Sequence, residues 1–135
     1  MAQIANIVVK DGAATPLDHT FIPIATAPKA MYREGISNLP LVGQGQVMIG
    51  SAVPGAVLQR VKMTLALPAL ETVTGQNADG YTAAPRVAYT NTVQVEFILP
   101  SRGTAQQRKD LRVMLSNLLM NGQVIDSVDN LNAPY

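Results

Sequence analysis

The chain has 135 residues, enough for one domain with its own core and no cross-links. It contains no cysteine, which excludes disulfides, thiol catalysis and cysteine metal sites. Ten basic and nine acidic residues nearly cancel, so bulk charge argues neither for nor against a nucleic-acid partner; 47% hydrophobic against 14% charged content would leave a lone subunit with an apolar surface, and a sizeable subunit interface accounts for that.

The opening Met1-Ala2-Gln3-Ile4 lacks a basic leader followed by a long apolar stretch, and no apolar run approaches the roughly 20 residues of a membrane span. Synthesis in the cytosol is expected. Gln3 to Lys10 is rich in Ile and Val, and Asp11-Gly12 signals a turn. Thr15 to Ile24 offers a return strand, which Pro16 and Pro23 assign to a sheet edge. A short strand is expected over Ala30 to Glu34.

Asn38 to Leu67 carries a second hairpin. Val47, Ile49, Ser51 and Val53 alternate with Gln46, Met48, Gly50 and Ala52, and Pro54-Gly55 fits the centre of a type II turn. Beyond it, Val57, Val61, Met63, Leu65 and Leu67 alternate with Arg60, Lys62, Thr64 and Ala66. A two-residue loop would set Val53 against Ala56 and mix the faces. A loop with an odd number of residues keeps both faces amphipathic and pairs Gly50 with Arg60 and Met48 with Lys62. Pro68 is expected to end this strand. Glu71 to Pro85 is small, polar and aperiodic, and a connection of that length is usually functional or mobile.

The final third is the most regular. From Thr90 to Leu99, Val93, Val95, Phe97 and Leu99 alternate with Thr90, Thr92, Gln94 and Glu96, the period of a half-buried strand that Pro100 stops. Thr104 and Gln107 have capping-box spacing. Leu111, Met114, Leu115 and Leu118 then mark one helix face, with Gly122 expected as a left-handed C-cap. Val124 to Leu131 offers a second short helix. Strands first and helices last predict an α+β layer. The whole chain reads as a single domain: hairpin 1–24, sheet 30–99 with loop 69–85, and helices 104–131.

Chemistry is sparse. His19 is the only histidine; its neighbour Asp18 points to the opposite strand face, so an exposed strand residue is favoured over a catalytic dyad. The carboxylates are dispersed, and no phosphate loop, nucleophile elbow or metal spacing is present. No enzyme, cofactor or metal is expected. Three neighbouring strands would gather Gln46, Arg60, Lys62 and Thr64 with Thr90, Thr92, Gln94 and Glu96 on one wet face. Cations for phosphates and neutral polar groups for bases suit RNA, although a solvated sheet face is the plainer alternative. The basic run Arg108, Lys109 and Arg112 opens the helix, read as a solvated face or an intersubunit contact.

The strand Asn91-Thr92-Val93-Gln94-Val95-Glu96-Phe97-Ile98-Leu99-Pro100, the segment Leu115-Ser116-Asn117-Leu118-Leu119-Met120-Asn121-Gly122 and the ending Asn132-Ala133-Pro134-Tyr135 carry a family likeness. Val9-Lys10-Asp11-Gly12 and Leu67-Pro68 support it. In this order they resemble the coat proteins of levivirus-like single-stranded RNA bacteriophages. The resemblance implies an N-terminal hairpin, a five-stranded antiparallel sheet and two C-terminal helices in an interlocked homodimer that builds an icosahedral shell, the virion capsid. It implies that Leu111, Met114, Leu115 and Leu118 cover the partner's sheet, including Val95 and Phe97. It implies that the loop holding Thr74, Gly75, Gln76, Asn77, Gly80 and Pro85 surrounds the shell's symmetry axes. It further implies that the wet face, with Met48 among its residues, binds a genomic RNA hairpin, packages RNA and represses replicase translation. This chain departs from well-known members at Thr92, where they stack a base on tyrosine, and at Met48 and Gly50, where they carry small hydroxyl residues. A free-standing dimeric RNA-binding module is the alternative.

Overall fold

A computed structural model describes residues 3–35, 39–50, 55–72, 75 and 78–134. Six strands follow one another in space as in sequence: β1 (Ile7–Lys10), β2 (Asp18–Ala25), β3 (Ala30–Glu34), β4 (Gln46–Ile49), β5 (Leu58–Leu70) and β6 (Val87–Pro100). Two helices close the chain, α1 (Ala105–Leu119) and α2 (Gly122–Asp129). The expected α+β class holds, with one difference in the sheet. The N-terminal hairpin is not separate from a five-stranded sheet; β2 bonds directly to β3, so the sheet has six strands.

β1 to β5 pair antiparallel. At the loop end of β5, Glu71 donates its N–H to the Arg86 carbonyl at 2.9 Å. Further back along β5, Arg60 reaches Glu96, ten residues later in β6, so this last pair is antiparallel too. Two compact units emerge: Met1–Pro54 with Gln59–Ile98, which is the sheet, and Gly55–Leu58 with Leu99–Tyr135, which holds the helices.

Prolines behave differently from expectation, for positional reasons. β2 is an interior strand although it contains Pro23. β1 begins at Ile7, opposite Phe21, so no β1 residue needs a donor from Pro23, and the β2–β3 register shifts between Pro23 and Ala25. β5 continues through Pro68 to Leu70. Even-numbered β5 residues turn their backbone groups toward β4, as the bond from Gly50 N–H to the Lys62 carbonyl shows. β4 starts only at Gln46, opposite Ala66, so the missing N–H of Pro68 falls beyond the ladder. Pro100 does end β6.

The β4–β5 register pairs Met48 with Thr64 and Ile49 with Met63. The expected parity is present, but the pairing is displaced from Met48–Lys62. Residues 51–54, on which the expected turn falls, lie outside the described residues; Gly55 has φ 81°, the left-handed value expected of a second turn position. The Thr104 capping box is made in full: Gln107 N–H donates to Thr104 Oγ1 at 3.2 Å, and Thr104 N–H to Gln107 Oε1 at 3.0 Å. Gly122 is not a C-cap. α1 closes through Met120 in a right-handed conformation, and Gly122 opens α2, whose N-cap Asn121 accepts the Gln123 N–H at 3.0 Å.

The core is thin. Among the described residues, only Phe21 and Tyr32 are buried hydrophobics. The chain exposes 10563 Å², whereas a self-contained protein of 14.3 kDa exposes about 6,800 Å². Conformational entropy cannot be offset by so little burial. Apolar side chains stay exposed in the sheet unit, among them Val8, Leu67 and Val93, and in the helical unit, among them Leu111, Met114 and Leu118.

Candidate nucleic-acid and subunit interfaces

Register sorts the sheet into two faces. Along β3, β4 and β5, Arg33 pairs with Gln46 and Gln46 with Ala66; Met31 pairs with Met48 and Met48 with Thr64. Lys62, two residues on, bonds through its carbonyl to Gly50. The Arg60 Nη1–Glu96 Oε1 contact of 3.2 Å joins the even-numbered residues of β5 and β6 on the same side. Gln46, Met48, Arg60, Lys62 and Thr64 therefore share a face with Thr90, Thr92, Gln94 and Glu96. Of these, Gln46, Met48 and Thr64 are half-buried and the others exposed.

Arg60 gives one of its guanidinium nitrogens, Nη1, to Glu96. Both side chains are exposed, so the pair is worth little in stability. Among the described residues, no carboxylate pairs with Lys62. Arg33 is a further cation on this face that sequence reading missed. The alternation of Ala30-Met31-Tyr32-Arg33-Glu34 was visible, but its face depends on the register with β4, which a five-residue run does not determine.

The odd-numbered face is apolar. Ile7, Phe21, Val47, Ile49, Met63 and Val93 line a concavity of about 540 Å³. Val95 and Phe97 are half-buried, with Val95 on the same parity as Val93. At the concavity's margin sits His19, which is half-buried and not the exposed strand residue expected. Its Nδ1 meets Glu34 Oε1, and its Nε2 lies 3.2 Å from Asp11 Oδ2. Glu34 is buried, and its other oxygen accepts the Gly45 N–H at 3.4 Å. The Glu34 hydrogen bond, then that of Asp11, raises the His19 pKa above its usual 6.5. Asp11 is held below its usual value chiefly by the Leu17 N–H, then by His19. The cluster ties the β1–β2 turn to β3. Asp18 is not part of it and is engaged with Lys10 at 2.9 Å.

In the helical unit, Leu111, Met114, Leu115 and Leu118 line a second concavity of about 570 Å³, together with Asn117 and Asn121. All but the half-buried Leu115 are exposed. Arg108, in the first turn, donates Nη1–H to the Gly103 carbonyl at 2.6 Å. At the roots of the 71–85 segment, Arg86 Nε–H donates to Glu71 Oε2 beside their backbone bond. Gly75 and Gly80 have φ of 104° and 78°, and Pro85 is exposed. Thr74, Gln76 and Asn77 lie outside the described residues.

An antiparallel sheet followed by two helices, with bare apolar stripes on both and a polar sheet face, defines a structural subunit. The levivirus coat protein model matches residues 2–135, and the chain belongs to that family. It is 29% identical over 136 residues to the capsid protein of Pseudomonas phage PRR1, covering 99% of this chain and all of that one. Among solved structures, the virus-like particle of bacteriophage ESE058 matches with a TM-score of 0.90 and 29% identity, over 99% of this chain and 100% of that one. A more distant match, described as an unassembled bacteriophage coat protein dimer that binds RNA, has a TM-score of 0.67 and 15% identity over 99% of both chains. The protein is a capsid protein, a component of the virion, and not an enzyme.

Proposed function

We propose that the chain works as an obligate homodimer, assembles into a closed icosahedral shell, and binds and packages single-stranded RNA on the even-numbered sheet face. The observation that carries this is the pair of bare apolar surfaces: the odd-numbered sheet face and the Leu111–Leu118 stripe of α1. In a two-fold dimer each helix stripe covers the partner's sheet face, and the two thin cores become one. Val95 and Phe97 then meet the partner's Leu115 and its neighbours. The polar face stays free, and the two copies join their Lys62 and Arg33 cations on it. The 71–85 segment, anchored by Glu71 and Arg86, supplies the contacts between dimers.

RNA binding is supported by amides, hydroxyls and cations on one sheet face, and by the relative described as an RNA-binding dimer. Translational repression follows if one RNA hairpin is preferred over the rest. Synthesis in the host cytoplasm precedes assembly. The test is size-exclusion chromatography of the chain expressed alone, followed by nuclease treatment. Shell-sized particles holding protected RNA are expected. A species that stops at the dimer and binds RNA would favour a free-standing RNA-binding module instead; a stable monomer would overturn both.

A further inference from the structure

We propose that Arg33 is a phosphate-contacting residue that carries the RNA track from β5 across β4 onto β3; this rests on the RNA reading of the even-numbered face. Arg33 pairs with Gln46, so its side chain stands on that face beside a residue assigned to the site. Its neighbour across β2 is Ile22, and Ala66 lies beyond Gln46. Both are apolar, so little on the sheet competes for the guanidinium. Glu34, next in sequence, points to the opposite face and is occupied by His19 and Gly45. Among the described residues, Arg33 has no ion pair, and its Nε is buried without a hydrogen-bond partner. The buried Nε is closed to solvent, so a phosphate contact falls to the guanidinium's other nitrogens.

The contrast with Arg60 sharpens the point. Arg60 is solvent-exposed and paired with Glu96, whereas Arg33 is half-buried and has no ion pair among the described residues. A cation partly screened from water attracts an external anion more strongly than an exposed one. Two strand spacings and four residues of rise separate Arg33 from Lys62, about 17 Å across the face. Gln46, Met48 and Thr64 occupy the ground between them. A single strand held by phosphates at Lys62 and Arg33 would lay its bases over that amide, thioether and hydroxyl.

The test is the salt dependence of binding of a labelled short RNA hairpin to full-length protein. Arg33→Gln, Arg33→Lys, Lys62→Gln and the loop control Lys29→Gln are compared with the parent chain. Losing one phosphate contact lowers the slope of log K against log[salt] by about 0.7. That loss is expected for Arg33→Gln and for Lys62→Gln, with the parent slope kept by Lys29→Gln and by Arg33→Lys. A parent slope in Arg33→Gln, with a reduced one in Lys62→Gln, overturns the role of Arg33 and leaves the RNA face standing. Parent slopes in both overturn the RNA face itself. Equal losses in Arg33→Gln and Arg33→Lys would assign Arg33 to folding rather than to phosphate.

Discussion

Leu118 offers a quantitative test of the shared core. In the isolated chain it is 55% exposed, beside Met114 at 68% and Leu111 at 47%. Full burial of such a side chain stabilises by about 1.5–3 kcal/mol, so covering the exposed half contributes roughly 1–1.5 kcal/mol per copy and about 2–3 kcal/mol per symmetric dimer. Leu118→Ala forfeits most of this, weakening the dimer by roughly 30-fold. Leu118→Asp adds two carboxylates that must lose water without a partner, each at several kcal/mol. Its total exceeds about 5 kcal/mol, more than a 1,000-fold loss. Analytical ultracentrifugation of unassembled protein reads the dissociation constants directly. Denaturation midpoints at several concentrations give an independent check, since folding linked to association depends on concentration. If Leu118→Asp kept the parent dimer constant, the stripe would not face a partner and the covering argument would fail.

Two further predictions concern the sheet. The His19 pKa is raised in the folded state, so its stabilisation is fully present below the unfolded value of about 6.5 and fades as pH rises through the higher folded value. His19→Gln should flatten the stability–pH curve above about pH 6.5, read from thermal midpoints; an unchanged curve would mean that Glu34 and Asp11 do not hold the imidazolium. Gly43→Ala should destabilise by about 1–3 kcal/mol, because the new Cβ would stand 2.7 Å from Leu70 Cδ1 and 2.8 Å from its Cγ. A variant as stable as the parent in chemical denaturation would show that Leu70 can move aside.

Much of this fold was legible because its strongest signals are local. The alternation of Thr90–Leu99 and the Thr104–Gln107 spacing each depend on a handful of adjacent residues; the strand and the capping box both form, although alternating burial begins only at Val95 and leaves Val93 exposed. The errors share a cause: they depend on what lies alongside. Whether Pro23 and Pro68 break a strand depends on where β1 and β4 begin, not on the prolines. Gly122 had two legal roles, and the choice fell to Asn121, a residue whose capping acts forward into α2. The His19–Glu34–Asp11 cluster spans three segments, and only the β2–β3 register brings Glu34 near His19. The polar face was assembled correctly from parity across three strands. Its electrostatics were not, because the Arg60–Glu96 pairing and the company of Arg33 are cross-strand facts.

The central claim is that the polar sheet face looks onto RNA inside a shell, while the apolar face and α1 are buried between two copies. Cryo-electron microscopy of particles from cells expressing only this chain tests it most directly. The account predicts closed shells of interlocked dimers, with Lys62 and Arg33 facing inward against nucleic-acid density. Shells with that face turned outward, or subunits whose α1 stripe covers their own sheet, would contradict it.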